Sequence, residues 1–294
     1  MGQDEIAGFA KGVLRLIDID GWQKWFGAAV LGFAFALNSN SSFSLGQLQG
    51  LVLGVPLILS YNQSVNDCFD VEIDEVKEKL SGKQLIVSKV ISQRTALTIT
   101  FLILLIGLLS TWMGSLSLFL ISCMMALFGT LYSAPPFRLK MVYPFSTLIQ
   151  FAGCFLPFLA GVAFISTVTF QTIIISSVFA VLAMIQRFKH EIENYKVDVQ
   201  TGKKTVAVTR GLRTAQMLLR LCAFVGVAEF AAFFILGWLN MVLLFLFVLY
   251  VFATIVPQIW LRYIPPALET VFHRLEIVSS FILLFIVLLV YGKF

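Results

Sequence analysis

The sequence predicts an all-α, polytopic membrane protein with nine transmembrane helices around a central cavity open to the cytoplasmic side. Three observations predict it. The 294 residues are 59% hydrophobic and 13% charged, with a mean hydropathy of +0.92, whereas a soluble domain carries about 25% charge. Residues 95–137 and 141–186 contain no charged side chain. Each run is about twice the roughly 20 residues that span a bilayer, so each reads as a helical hairpin whose backbone satisfies its own hydrogen bonds. The loops between apolar runs alternate between rich in Lys and Arg and free of both.

The elements follow in order. Residues 1–21 mix Lys11 and Arg15 with Ala, Val, Leu and Ile, which suits an interfacial helix lying on the membrane and not a cleavable leader. Spans are expected at 22–37, 45–61, 95–112, 116–132, 142–164, 170–188, 215–238, 241–260 and 277–291. The second leads into a charged segment, 62–94, and the sixth into another, 189–213. Ser133, Ala134, Pro135 and Pro136 stop the fourth, because proline cannot continue a helix. Pro56 and Pro157 lie within spans and are expected to kink them. The whole chain, 1–294, reads as a single membrane-embedded domain.

The loops after spans one, three, five and seven hold no Lys or Arg. Those after the even spans, with the N-terminal segment, hold nearly all of the 21. The positive-inside rule then makes this a multi-pass protein of the cell membrane, with the N-terminus and both charged segments cytoplasmic and the C-terminus outside. The net charge of +5 and pI of 9.0 follow mostly from that topology, with attraction to anionic headgroups of the lipid bilayer. Nothing resembles a nucleic-acid module, and nothing sets an oligomeric state. Cys68, Cys123, Cys154 and Cys222 have the spacing of neither a zinc site nor a disulfide framework.

Chemistry concentrates in two acidic stretches. The first holds Asn66, Asp67, Asp70 and Asp74, directly after span two. On a continuing helix, Asn66, Asp70 and Asp74 fall at i, i+4 and i+8, and Asp67, Asp70 and Asp74 at i, i+3 and i+7. Carboxylates stacked this way repel one another and call for a cation. Mg²⁺ characteristically takes one or two protein carboxylates plus water and substrate phosphate. The second stretch holds Glu191, Asn194 and Asp198, again at i, i+3 and i+7, after span six. Both follow even spans and therefore share one membrane depth. Two such clusters facing one cavity can hold two Mg²⁺ ions that grip a diphosphate and neutralise it as it leaves.

These residues resemble the UbiA superfamily of intramembrane prenyltransferases. Asn-Asp-x-x-Asp-x-x-x-Asp at 66–74 looks like the family's first signature. The stretch from Tyr132 and Ser133 through Pro135 and Pro136 to Arg138 and Lys140 resembles a third. Asp198 with Gly202, Lys203, Lys204 and Thr205 resembles the end of the second. With nine helices, the resemblance covers essentially the whole chain. The sequence departs from the family pattern where Glu191 and Asn194 stand in place of two aspartates. It departs again after the first motif, where Gln84, Leu85 and Ile86 replace an Arg-Pro-Leu/Ile run.

The resemblance implies Mg²⁺-dependent transfer of a prenyl group from an allylic prenyl diphosphate to a lipophilic, aromatic acceptor. The route is ionisation to an allylic carbocation with release of diphosphate. It implies two Mg²⁺ ions, one on Asn66, Asp70 and Asp74 with Asp67 beside them, the other on Glu191, Asn194 and Asp198. Asp70, Asp74 and Tyr132 carry the catalysis, the last as a ring face toward the cation. Lys83, Ser133, Arg138 and Lys140 bind substrate. Quinone precursors, chlorophyll-type or haem rings and glycerol phosphate ether lipids are all acceptors within the family.

Two other readings are weighed. A catalytically weak or inactive prenyl-lipid-binding relative is suggested by Asn194. A secondary transporter would place charge near the midplane on broken helices, whereas the acids here cluster at span ends. Glu229, inside span seven, is an acid at membrane depth, but it is remote from both motifs and is read as structural. His190 beside the second motif is read as incidental. Most of the 29 Phe and 7 Tyr are read as lipid contact or core.

Overall fold

The computed structural model describes residues 10–71 and 91–248, apart from 11, 15, 38–42, 240, 243 and 247. Asp74, Lys83, most of the eighth expected span and all of the ninth lie outside the described residues, whose regular structure is helical, with no strand among them. Helix α1 is Ile19–Ala36. Helix α2, Leu45–Gln49, starts from a capping box in which Ser44 and Gln47 each bond the other's backbone N–H. A π turn, Gly50–Gly54, carries it into α3, Val55–Phe69. Helices α4, Gln93–Gly114, and α5, Leu116–Ser133, form a hairpin, with Ser115 capping α5 through Leu118 N.

A 3₁₀ turn, Leu139–Met141, leads to α6, Phe145–Gly153, and α7, Leu156–Ile165. Then come α8, Phe170–Glu193, two short helices, α9, Tyr195–Gln200, and α10, Val206–Arg210, and finally α11, Leu212–Ile235. Among the described residues five segments are long and apolar enough to cross a membrane: α4, α5, α6 with α7, α8 and α11.

The core lies where α1, α7 and α8 meet. Phe158 stacks on Phe179 with ring centroids 5.0 Å apart, and Phe33 meets Phe164 edge-on at 5.3 Å. Two glycines bring α1 and α7 this close. A Cβ on Gly32 would stand 1.9 Å from the Phe158 carbonyl oxygen, and one on Gly161 would stand 1.8 Å from that of Ala29. The outer faces of α4, α5 and α11 expose Phe101, Leu109, Leu127, Phe224 and Val227, as expected of surfaces that meet lipid.

Four local features differ from the sequence reading. The second span extends to Phe69 and ends there, with Asp70 as its C-cap at φ −102°, ψ 10°. Asp70 therefore sits at a helix end and not along a face. The fifth span is two helices, broken at Cys154 and Phe155. Pro157, in the first turn of α7, lacks the N–H that would bond back across the break. The second acidic stretch is not one helix. Asn194, at φ −94°, ψ 14°, closes α8 and opens α9, so Glu191 and Asp198 lie on different elements. The described end of the expected interfacial helix is packed inside. Leu16 is fully buried, Ser64 Oγ donates to Leu16 O at 2.5 Å, and Ser60 Oγ donates to Ile17 O at 2.9 Å.

Candidate active site

The polar end of the bundle is assembled from the end of α3, the turn after α5 and the segment from late α8 to α10. A cavity of about 460 Å³ opens there, within the usual range for small-molecule sites. Asn66, Asp70, Tyr132, Ser133, Lys140 and Glu191 line it, so six of the sequence-derived candidates come together. Its deeper wall is Trp25, Leu59, Met125, Phe128 and Pro157.

Asn66 and Asp70 are one helical turn apart and share a cation. Asn66 Oδ1 accepts from Lys140 Nζ at 2.9 Å and from Ser133 Oγ at 3.0 Å. Asp70 Oδ1 lies 2.5 Å from the same Nζ. Lys140 is 2% exposed, and burial pushes its ammonium below the ordinary lysine value while the Asp70 charge pulls the other way. Arg138 is held in the left-handed region at φ 40°. Its Nη2 donates to Phe69 O at 2.7 Å and stands 3.8 Å from Asp70 Oδ1. Two cations thus face the negative end of α3. Asp67 is half-buried and is not part of the cavity wall.

The second stretch behaves differently. Glu191 Oε1 lies 2.8 Å from Arg187 Nε, and Glu191 Oε2 accepts from Val206 N at 3.0 Å and Ala207 N at 3.4 Å. Asn194 Nδ2 donates to His190 O at 3.0 Å and meets the His190 ring. Asp198 is buried, with Lys203 Nζ 3.7 Å from its Oδ1. Neither Asn194 nor Asp198 lines the cavity, whereas His190 and Lys203 do. Among the described residues no three His, Cys, Asp or Glu converge on a metal position. That includes His190, Glu191 and Asp198, while Asp74 of the first stretch lies outside the described residues.

Sequence reasoning missed a buried hub. Arg187 is 6% exposed and bonds Gln150 Oε1, Ser146 Oγ at 3.0 Å and the Tyr132 hydroxyl at 3.4 Å. The sequence marks Arg187 only as the charged residue at the end of an apolar run, and Gln150 and Ser146 lie in a charge-free run that gives no signal. Asn62, one turn deeper than Asn66, was also passed over. Its Oδ1 is buried without a hydrogen-bond partner, and it fits because residue 129 is glycine, where a Cβ would come within 2.0 Å of that oxygen. Glu229 accepts from Ser177 Oγ at 2.8 Å, tying α11 to α8 away from the cavity.

Comparisons with known proteins give the chain its family and its fold. The model of the UbiA prenyltransferase family matches residues 26–290. Chloroplastic chlorophyll synthase of Oryza sativa subsp. japonica is 26% identical over 178 residues, covering 57% of this chain and 46% of that protein. The chain thus spans about half the length of that relative. Digeranylgeranylglyceryl phosphate synthase of Saccharolobus solfataricus is 28% identical over 228 residues, covering 74% and 77%. A UbiA homolog from Archaeoglobus fulgidus, solved bound to GPP and Mg²⁺, superposes with a TM-score of 0.73 at 21% identity, over 93% of this chain and 99% of that one. At that identity the likeness shows the fold.

Proposed function

The chain belongs to the UbiA prenyltransferase family, and from that premise we propose that it is a prenyltransferase of the membrane. It transfers the prenyl group of an allylic prenyl diphosphate to a lipophilic, aromatic acceptor, with Mg²⁺ as cofactor and diphosphate as the second product. The observation that carries the proposal is a cation seat at the mouth of an apolar-walled cavity. Asn66 Oδ1 and Asp70 Oδ1 lie 2.9 and 2.5 Å from one ammonium, and Leu59, Met125 and Phe128 continue the wall inward. The GPP and Mg²⁺ bound to the Archaeoglobus fulgidus homolog support the same pair of ligands here. We place nine helices in the bilayer and the polar end at the cytoplasm, which the loop charges support.

The donor set fits Mg²⁺. Asn66 and Asp70 offer hard oxygens, and the seat already stabilises positive charge; the motif's further carboxylate, Asp74, lies outside the described residues. When bound, Mg²⁺ supplies the charge that neutralises the departing diphosphate. Ser133 holds the Asn66 carboxamide in place. Arg138 and Lys140 grip diphosphate oxygens through charge-assisted hydrogen bonds. As the C1–O bond of the donor breaks, the rings of Tyr132 and Phe128 offer π faces to the allylic cation. The apolar wall keeps water from that cation, and the acceptor's nucleophile forms the new bond to C1 and gives up its proton, which leaves with the diphosphate.

A second reading is a relative that binds prenyl lipids with little turnover. The internal bonding of Glu191, Asn194 and Asp198 favours it. Purified protein incubated with prenyl diphosphates decides between them, with quinone-precursor phenols, a chlorophyll-type ring and a glyceryl phosphate as acceptors. Mg²⁺-dependent diphosphate release with a prenylated product is expected. Binding without release from any combination selects the second reading, and absence of binding refutes both.

A further inference from the structure

Glu191 sits where a metal-binding acid is expected, yet one oxygen takes two backbone N–H bonds and the other stands in an ion pair that lacks hydrogen-bond geometry. It is 3% exposed. Oε1 pairs with Arg187 Nε at 2.8 Å, one turn back on α8, and Oε2 receives the first two amides of α10. Arg187 uses its other nitrogens on Gln150, Ser146 and Tyr132. Arg187, Gln150, Tyr132 and Glu191 all face the cavity.

We propose that Glu191 is a positioning residue and not a metal ligand. It holds the Arg187 guanidinium against Gln150 and Tyr132 at the cavity wall and ties α8 to α10, and the second acidic stretch binds no divalent ion of its own. A cation on Glu191 would have to break a pair in which both partners are buried, leaving Arg187 unpaired. The neighbours that would complete a site are turned elsewhere. Asn194 donates to His190, and Asp198 pairs with Lys203. The length of the side chain fits the bridging task. The glutamate reaches from α8 to both the guanidinium and the α10 amides, and an aspartate is shorter by one methylene.

The inference rests on the proposed prenyl transfer only for its kinetic readout. The discriminating variant is Glu191→Asp, which keeps a hard oxygen ligand but shortens the bridge. Mn²⁺ bound per chain is counted by electron paramagnetic resonance in the presence of a non-ionising prenyl thiolodiphosphate. The expected result is an unchanged Mn²⁺ count and affinity, with a melting temperature lower by about 5 °C or more. Where turnover is measurable, kcat falls, because Tyr132 and Gln150 lose their anchor, while KM for the prenyl diphosphate moves less than about threefold. The double variant Arg187→Gln/Glu191→Gln should recover part of the melting temperature lost in either single variant, since it removes both charges together.

A second Mn²⁺ per chain that disappears in Glu191→Gln overturns the inference. So does a several-fold shift in Mn²⁺ affinity in Glu191→Asp at unchanged melting temperature. Ion count and melting need no turnover. Absence of prenyl transfer would sink the proposed function and leave this test decisive.

Discussion

Removing the Lys140 ammonium should make the first acidic stretch bind divalent cations more tightly, not less. Lys140 Nζ lies 2.5 Å from Asp70 Oδ1 and 2.9 Å from Asn66 Oδ1, so it occupies the seat that an ion would take. Unit charges at that distance attract by about 6–7 kcal/mol at an effective dielectric near 20. Most of that is offset by the desolvation of the buried ammonium, and a charge-assisted hydrogen bond nets about 1.5–3 kcal/mol. An ion entering the seat must displace this much interaction. Lys140→Met removes the competitor and should raise Mn²⁺ affinity in the absence of diphosphate by about 10–100-fold, since 1.4 kcal/mol is a factor of ten. The metal-free variant should be less stable, because Asp70 loses its buried partner, and should regain stability as Mn²⁺ is added. Titration by electron paramagnetic resonance, with melting curves at each Mn²⁺ concentration, measures both. Unchanged or weaker Mn²⁺ binding in Lys140→Met would refute the claim that lysine and metal share one seat.

Other expectations can be checked beside it. Asp70→Asn should lower turnover by at least about 100-fold and weaken prenyl diphosphate binding, and near-wild-type Mg²⁺-dependent activity would remove Asp70 from the site. Asn194→Asp should not shift the Mg²⁺ dependence to lower concentration. Asn194 Nδ2 donates to His190 O at the end of α8, so an acid there loses a bond and meets the negative helix end, destabilising by about 1 kcal/mol. A leftward Mg²⁺ curve would show a working second metal site. Gly32→Ala should cost about 3 kcal/mol or more, because its Cβ meets the Phe158 carbonyl, a backbone atom. A melting temperature equal to wild type would contradict the α1–α7 packing. Cysteine labelling should find the 76–94 segment on the cytoplasmic side, and labelling from outside would invert the topology.

What the sequence disclosed and what it hid divide by the range of the interaction. The α4–α5 hairpin was legible almost to the residue, because charge-free runs and Pro135 and Pro136 are local signals. Asn66 stands in the spaced acidic stretch, Ser133, Arg138 and Lys140 are singled out only by the family resemblance, and the structure joins Asn66 to Lys140 at 2.9 Å. The spacing argument for Glu191, Asn194 and Asp198 assumed an uninterrupted helix. The break at Asn194 is a tertiary outcome, with Glu191 drawn to Arg187 and to the amides of α10. The Arg187 hub was not legible. Its partners Ser146, Gln150 and Tyr132 are 37 to 55 positions away, and no local pattern marks a residue satisfied across three helices. The kink expected at Pro157 is a full break of the span just ahead of it, at Cys154 and Phe155. The burial of Leu16 against α3 depends on hydroxyls of Ser60 and Ser64 reaching backbone carbonyls, which composition does not reveal.

In the proposed complex the diphosphate head group of a prenyl donor binds at the α3 end with a divalent cation, and its tail runs inward along the apolar wall. The most direct measurement is a crystal structure of the protein with a prenyl thiolodiphosphate and Mn²⁺, using the anomalous signal of manganese to locate the ion. An anomalous peak is expected at about 2–2.3 Å from oxygens of Asn66 and Asp70, with diphosphate oxygens on Arg138 and Lys140 and a tail passing Phe128 toward Trp25. A diphosphate bound elsewhere in the bundle, or a manganese peak on Glu191 and Asp198 with none at Asp70, would contradict it.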